Sequence, residues 1–175
     1  MLSFTGSALT VNAAVTTGGA VTVVNAGAFT TIAAGDITAA GAFSQTGAGT
    51  NSLAGDITAG GNIAVARAAV LTGDVAIVTT NASGTIDLAG VNSDGTGAKN
   101  LLLRSLGALT IDAAIGGTQA LGTIWIEAAG VSQGVQIAGD NSIVSGTGYA
   151  IKAAKLAVTS SGLVDLIHPD NIVPV

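Results

Sequence analysis

Cysteine is absent from the 175-residue chain, which removes disulfides, thiolate metal sites and thiol nucleophiles together. Charge is nearly as scarce. Only 9% of residues are charged, and five basic side chains stand against ten acidic ones for a formal charge of -5. That is the wrong sign for a phosphate backbone, and Arg67, Lys99, Arg104, Lys152 and Lys155 form no cluster, so nucleic acid is excluded as a partner. Aromatics make up 3%, and proline occurs only at positions 169 and 174. No apolar run approaches the roughly 20 residues that span a bilayer, because Gly, Thr, Asn or Asp interrupts every stretch. No basic n-region and apolar h-region follow Met1, so no secretory signal is expected within the chain.

What remains is small and apolar: 26 Gly and 33 Ala, with Leu, Ile, Val and Phe contributing 49 residues. This is enough apolar content to fold, and without a three-residue Gly period it is not collagen. The chain repeats itself. Ala34-Gly35-Asp36-Ile37-Thr38-Ala39 recurs as Ala54-Gly55-Asp56-Ile57-Thr58-Ala59, twenty residues on. A looser pattern of an apolar residue, a variable one and two small or apolar ones begins at Val11, Ile37, Ile57, Ile86, Ile111, Ile126 and Ile151, at intervals of 15 to 29 residues. Such spacing implies a unit of about 20 to 25 residues, in the range of solenoids.

Within each unit the period is two. Leu9 and Val11 alternate with Thr10 and Asn12, Ile86 and Leu88 with Thr85 and Asp87, Leu109 and Ile111 with Thr110 and Asp112, Ile124 and Ile126 with Thr123, Trp125 and Glu127. That is a strand with one apolar and one wet face. Gly, Asn, Ser and Asp punctuate the strands and tolerate sharp corners, while no Gly-free helical stripe lasts three turns. The expected fold is all-β, a parallel, right-handed β-helix of 7 to 8 coils over residues 1–166, with 167–175 an extended tail serving as cap or inter-subunit linker. An antiparallel sandwich of about ten short strands is the competing architecture. In a solenoid the stacked interior suits Ala, Val, Ile and Leu, and aromatics do not fit easily.

Tracts such as Leu53-Ala54-Gly55-Asp56-Ile57-Thr58-Ala59-Gly60-Gly61-Asn62-Ile63 and Ser83-Gly84-Thr85-Ile86-Asp87-Leu88-Ala89-Gly90 resemble the passenger repeats of large exported bacterial adhesins of the filamentous haemagglutinin and autotransporter type. The resemblance, one of repeat style over residues 8–165, implies a shaft on or beyond the bacterial cell surface that adheres to surface glycan, to protein or to its own copies.

β-Helices also host enzymes that act on acidic polysaccharides, and a carbohydrate-active β-helix or glycan-binding module is the alternative reading. Such sites need clustered carboxylates with Arg or Lys, and the supply here is thin, with the single His168 beside Pro169. No catalytic residue is assigned. Asp87, Asp112 and Glu127 occupy the same position of the loose repeat, followed by Lys152. In register, three carboxylates would stack at about 4.8 Å and repel one another. Calcium would relieve that repulsion, but no nonapeptide cage or EF-hand loop is present, so no cofactor is expected.

Trp125, between Ile124 and Ile126, must point outward if they point inward, and an exposed Trp marks a contact surface for sugar, protein or a subunit. Tyr149, two before Ile151, belongs to the same expected wall. Asn81-Ala82-Ser83 fits a glycosylation triplet, and the absence of any Thr-x-Thr argues against an ice-binding ladder. Neither end carries an evident cap, and the apolar closing segment with Ile172, Val173 and Val175 can lie across its own last coil or dock on another subunit. Head-to-tail association is therefore expected, either between subunits or between neighbouring repeats of a longer chain.

Overall fold

The computed structural model describes residues 1–136, 143–145, 151–160 and 171–173. Strand follows strand in threes, because each run of an inward, an outward and an inward residue ends at small residues that turn the chain. The first coil holds β1 (Leu2–Gly6), β2 (Leu9–Val11) and β3 (Val15–Thr17). The second holds β4 (Val21–Asn25), β5 (Phe29–Thr31) and β6 (Ile37–Ala39), and the third β7 (Phe43–Gln45), β8 (Asn51–Leu53) and β9 (Ile57–Ala59). The fourth comprises β10 (Ile63–Val65), β11 (Ala69–Leu71) and β12 (Val75–Thr79). The fifth runs through β13 (Ile86–Leu88), β14 (Val91–Ser93) and the first half of β15 (Leu101–Ile111). The sixth takes the second half of β15, a bridge at Ile115 and the start of β16 (Leu121–Gln136). Two further strands are β17 (Ile143–Ser145), antiparallel to β16, and β18 (Ala153–Ser160), parallel to it.

Like sides of successive coils pair in parallel, giving a three-sided β-solenoid of about six turns, against the 7 to 8 expected. Leu2, Val21, Phe43, Ile63, Ile86, Leu109 and Val131 form the register column of the first side, so the coils contain 19 to 23 residues. Leu9, Phe29, Asn51, Ala69, Val91, Ile115 and Ile151 define the second side. Val15, Ile37, Ile57, Ile77, Leu103, Ile126 and Val158 define the third. Because β15 and β16 each pass a corner without a break, sides one and three belong to one 13-stranded sheet, and side two is a separate five-stranded sheet.

The Ala-Gly-Asp-Ile-Thr-Ala copies are true coil neighbours, Ile37 pairing with Ile57. The looser pattern is not a coil repeat. Val11 and Ile151 lie on side two, Ile86 and Ile111 on side one, and Ile37, Ile57 and Ile126 on side three. All three sides use the same inward-outward-inward strand, so a local motif matches any of them, and the intervals of 15 to 29 mix fractions of a coil.

The interior is stacked: Ile57, Ile63, Leu71, Ile86, Leu101, Ile111 and Ile124 are essentially inaccessible. It also accepts aromatics, contrary to expectation. Phe29 and Phe43 are both buried, with ring centroids 6.2 Å apart. Phe29 stacks between Leu9 and Asn51, and Phe43 between Val21 and Ile63. Close stacking at the corners requires Gly, since a Cβ on Gly55 would lie 2.6 Å from the Gly35 backbone, and one on Gly116, at φ +70°, would strike the Lys152 carbonyl.

The two ends differ. β1, β2 and β3 each pair on one side only, and the first rung opens into an apolar hollow of about 380 Å³ lined by Phe4, Leu9, Val11, Val15, Val21 and Val23. At the far end Ile172 pairs with the coil before it, its N–H donating to the Ile151 carbonyl at 2.9 Å while Ala153 N–H donates to the Ile172 carbonyl at 3.1 Å. Among the described residues no helix is long and apolar enough to cross a membrane.

Candidate binding wall on the third side

Parity delivers Trp125 to the outer wall. Ile124 and Ile126 are buried, and the indole between them remains 45% exposed. In register below it lies Leu102, then Ala76, and above it Ala157. The ring stands out from the sheet between Leu102 and Ala157. Beside it a groove of about 340 Å³ is lined by Asp56, Asp74, Val75, Ala76, Asn100, Leu102 and Trp125.

The polar end of this groove is preorganised by the coil-to-coil spacing. Asp56 Oδ1 accepts the Ala76 N–H at 2.7 Å. Asp74 receives both the Asn100 N–H and its Nδ2, each at 2.9 Å, and Asn100 Oδ1 accepts the Thr123 N–H at 2.7 Å. Each carboxylate or amide thus caps the open backbone donor of the coil above. The Asn100 N–H, then its side chain, and also the Lys99 ammonium hold the Asp74 carboxyl below its ordinary value.

Two residues along, Arg104 and Glu127 are register partners joined at 2.6 Å between Nε and Oε2. This bond holds the Glu127 carboxyl below its usual range and raises Arg104. Glu127 is therefore on side three, while Asp87 is on side one, opposite Thr110. The expected stack of Asp87, Asp112 and Glu127 does not form, because the loose pattern had equated different sides and slipped by two residues within side one. Asp87 and Asp112 do meet, in a groove of about 270 Å³ with Ala64, Val65, Ala66 and Ala89. Partial desolvation there, then the charge of Asp112 and a hydrogen bond with it, raises the Asp87 carboxyl. Among the described residues no three His, Cys, Asp or Glu are arranged to hold a metal ion.

Ile172, 58% exposed, and Val173, packed against the core, lie on the chain's own last coil. Tyr149 and Val175 lie outside the described residues. The sequence reading missed Asp56, Asp74 and Asn100 as wall residues, since they precede their strands at a corner where alternation gives no direction; the available signal was an Asp or Asn just before the first apolar residue of a strand, in Asp56-Ile57, Asp74-Val75 and Asn100-Leu101. No protein-family model matches the chain, and comparison with curated proteins and with solved structures finds no match.

Proposed function

We propose that the chain is a non-enzymatic shaft or adhesive segment of an extracellular bacterial surface protein or filament, related to the passenger repeats of exported adhesins. The observation that carries this is the open first rung: three unpaired strand edges around an apolar hollow of about 380 Å³. A surface of that shape is satisfied best by another solenoid coil, and a head-to-tail contact that does not close gives a fibre. The coil that supplies it belongs to a neighbouring subunit or to a further repeat of a longer chain. At the opposite end, the surface presented to a partner is the one built on Ile172 and Val173.

Light scattering across a concentration series tests the stacking. Particle size growing with concentration supports it, and a monodisperse monomer throughout overturns it. A chain ending at Ile167 separates the roles of the tail: aggregation of that chain beside a monomeric full-length protein would make the tail an intramolecular cap and end the filament reading. Protease accessibility on intact source cells tests the extracellular assignment.

A carbohydrate-active reading has one observation in its favour, the groove shared by Asp87 and Asp112. No basic side chain lines that groove to hold an acidic polymer. Turnover of any polysaccharide that Asp87→Asn or Asp112→Asn abolishes would favour it over the shaft.

A further inference from the structure

We infer that the groove beside Trp125 is a binding subsite for a neutral pyranose unit, one hydroxyl-rich ring of a glycan chain. The inference deepens the adhesive reading by naming the ligand class of that wall. The groove has two unlike ends, and each restricts the ligand. One end is the exposed indole with Leu102, an apolar platform that stacks on a flat face of C–H groups. The other end is a row of oxygens and one amide, already fixed in place by backbone bonds. Asp56 Oδ1 is committed to Ala76 N–H, which leaves Oδ2 to accept. Both Asp74 oxygens accept once from Asn100, and each keeps a lone pair. Asn100 has spent one Nδ2 proton on Asp74 and one Oδ1 lone pair on Thr123, so it retains a donor and an acceptor. The ligand must therefore bring several donors and at least one acceptor on a rim around an apolar face, which is the surface of a sugar ring.

Charge and hydrogen-bond inventory separate the alternatives. Asp56 and Asp74 repel an anionic sugar. A cationic head group brings donors but no acceptor for the spare Asn100 Nδ2 proton, and the Lys99 ammonium is held away on Asp94 at 3.7 Å. A volume of about 340 Å³ lies at the small end of ligand sites, whose range is about 300–1,000 Å³. Because the sheet wall continues on either side of the groove, the ring is held as one unit of a longer chain lying along the surface.

Trp125 is the one tryptophan in the chain, so its fluorescence reports occupancy with no label. The full-length protein is titrated with cellohexaose, maltohexaose and mannohexaose, alongside hexagalacturonate and a Lys-rich peptide. A saturable spectral shift with at least one neutral hexaose, absent with hexagalacturonate and the peptide, supports the inference. Calorimetric titration of that hexaose into Trp125→Ala should show affinity lower by at least about tenfold, with Trp125→Phe retaining part of it and Asp56→Asn weakening it less. The circular dichroism melt of each variant must match the parent, since these side chains sit on the wall. No neutral hexaose binding at millimolar concentration, or binding that Trp125→Ala leaves intact, overturns the inference. Shifts by the peptide or by hexagalacturonate alone overturn it equally. Light scattering reads stacking separately, so a failed titration and a failed assembly are distinguishable.

Discussion

The first three coils and the three that follow share one backbone and divide their chemistry in opposite ways. In the first three the outer columns are plain: Thr16, Thr38 and Thr58 on side three, Thr10, Thr30 and Ser52 on side two, Thr22 and Ser44 on side one. Their interior is the polar part. Gln45 Nε2 donates to Asn25 Oδ1 at 2.8 Å, and Asn51 Nδ2 to Gln45 Oε1 at 3.1 Å. The same amides donate to the carbonyls of Gly27, Gly47 and Arg67. In the later coils the stacked interior of the described residues is aliphatic, with the buried hydroxyls of Thr79, Ser93 and Ser105 donating to corner carbonyls. The outer wall there holds Asp87, Arg104, Asp112, Trp125 and Glu127. The backbone ladder is indifferent to this exchange because the wall is set by main-chain pairing, which leaves the outer strand positions free to vary; the Trp125 groove takes Asp56 from the third coil and its other residues from later ones.

The largest test of that division is to place charge on the wrong side of the later wall. Ile111→Asp or Ile126→Asp buries an unpaired carboxylate between coils and should cost about 3 to 5 kcal/mol, whereas Thr110→Lys or Thr123→Lys should cost under about 0.5 kcal/mol. Thermal melts in which the two classes behave alike would refute the assignment of faces. The polar interior of the early coils is tested by Gln45→Met, which keeps the volume and removes the donor to Asn25 and Gly47. It should cost about 1 to 3 kcal/mol, and Ser93→Ala, losing one corner bond, about 1 kcal/mol. Equal losses would mean that the amide row acts only as filler.

A smaller pair of effects separates the acids by pH. Asp87, raised in the folded chain, carries a penalty that is absent below its unfolded value of 3.8, grows as pH rises from there to its folded value and is fully present above it. Asp87→Asn should therefore raise the melting temperature at neutral pH and lose that advantage in acid. Asp74, lowered in the folded chain, contributes stability above 3.8 that is lost as pH falls through its folded value. Asp74→Asn should lower the neutral melting temperature, with the difference fading below that pH. Smallest of all, Arg104→Ala removes an exposed pair, and its melt should differ little from the parent, less still at high salt.

The strands, the parallel stacking and the exposure of Trp125 were legible in the sequence because alternation reads directly as inside and outside. Coil register was not. Ile86-Asp87-Leu88 and Ile111-Asp112-Ala113 look alike, yet Leu88 stacks on Ile111 and Asp87 on Thr110. A three-residue strand carries too little information to fix its partner, and the register is set by the corners and by what stacks on them. Asn25, Gln45 and Asn51 escaped notice for a related reason. They hold inward parity, in Val21-Thr22-Val23-Val24-Asn25 for example, but an amide reads as surface until the carbonyls it satisfies are seen. The groove acids Asp56 and Asp74 sit before their strands, where no period applies.

Because the chain has no cysteine, the register can be read by oxidative crosslinking of introduced pairs under dilute conditions. Parallel partners lie about 4.8 Å apart, within the roughly 4.4–6.8 Å between Cα atoms that a disulfide tolerates. Arg104→Cys with Glu127→Cys, and Thr38→Cys with Thr58→Cys, should close an intramolecular bond on mild oxidation. Asp87→Cys with Glu127→Cys, equivalent by local sequence but on different sides, should not. Crosslinking of the Asp87–Glu127 pair together with failure of the Arg104–Glu127 pair would contradict the three-sided stacking from which the binding wall is built.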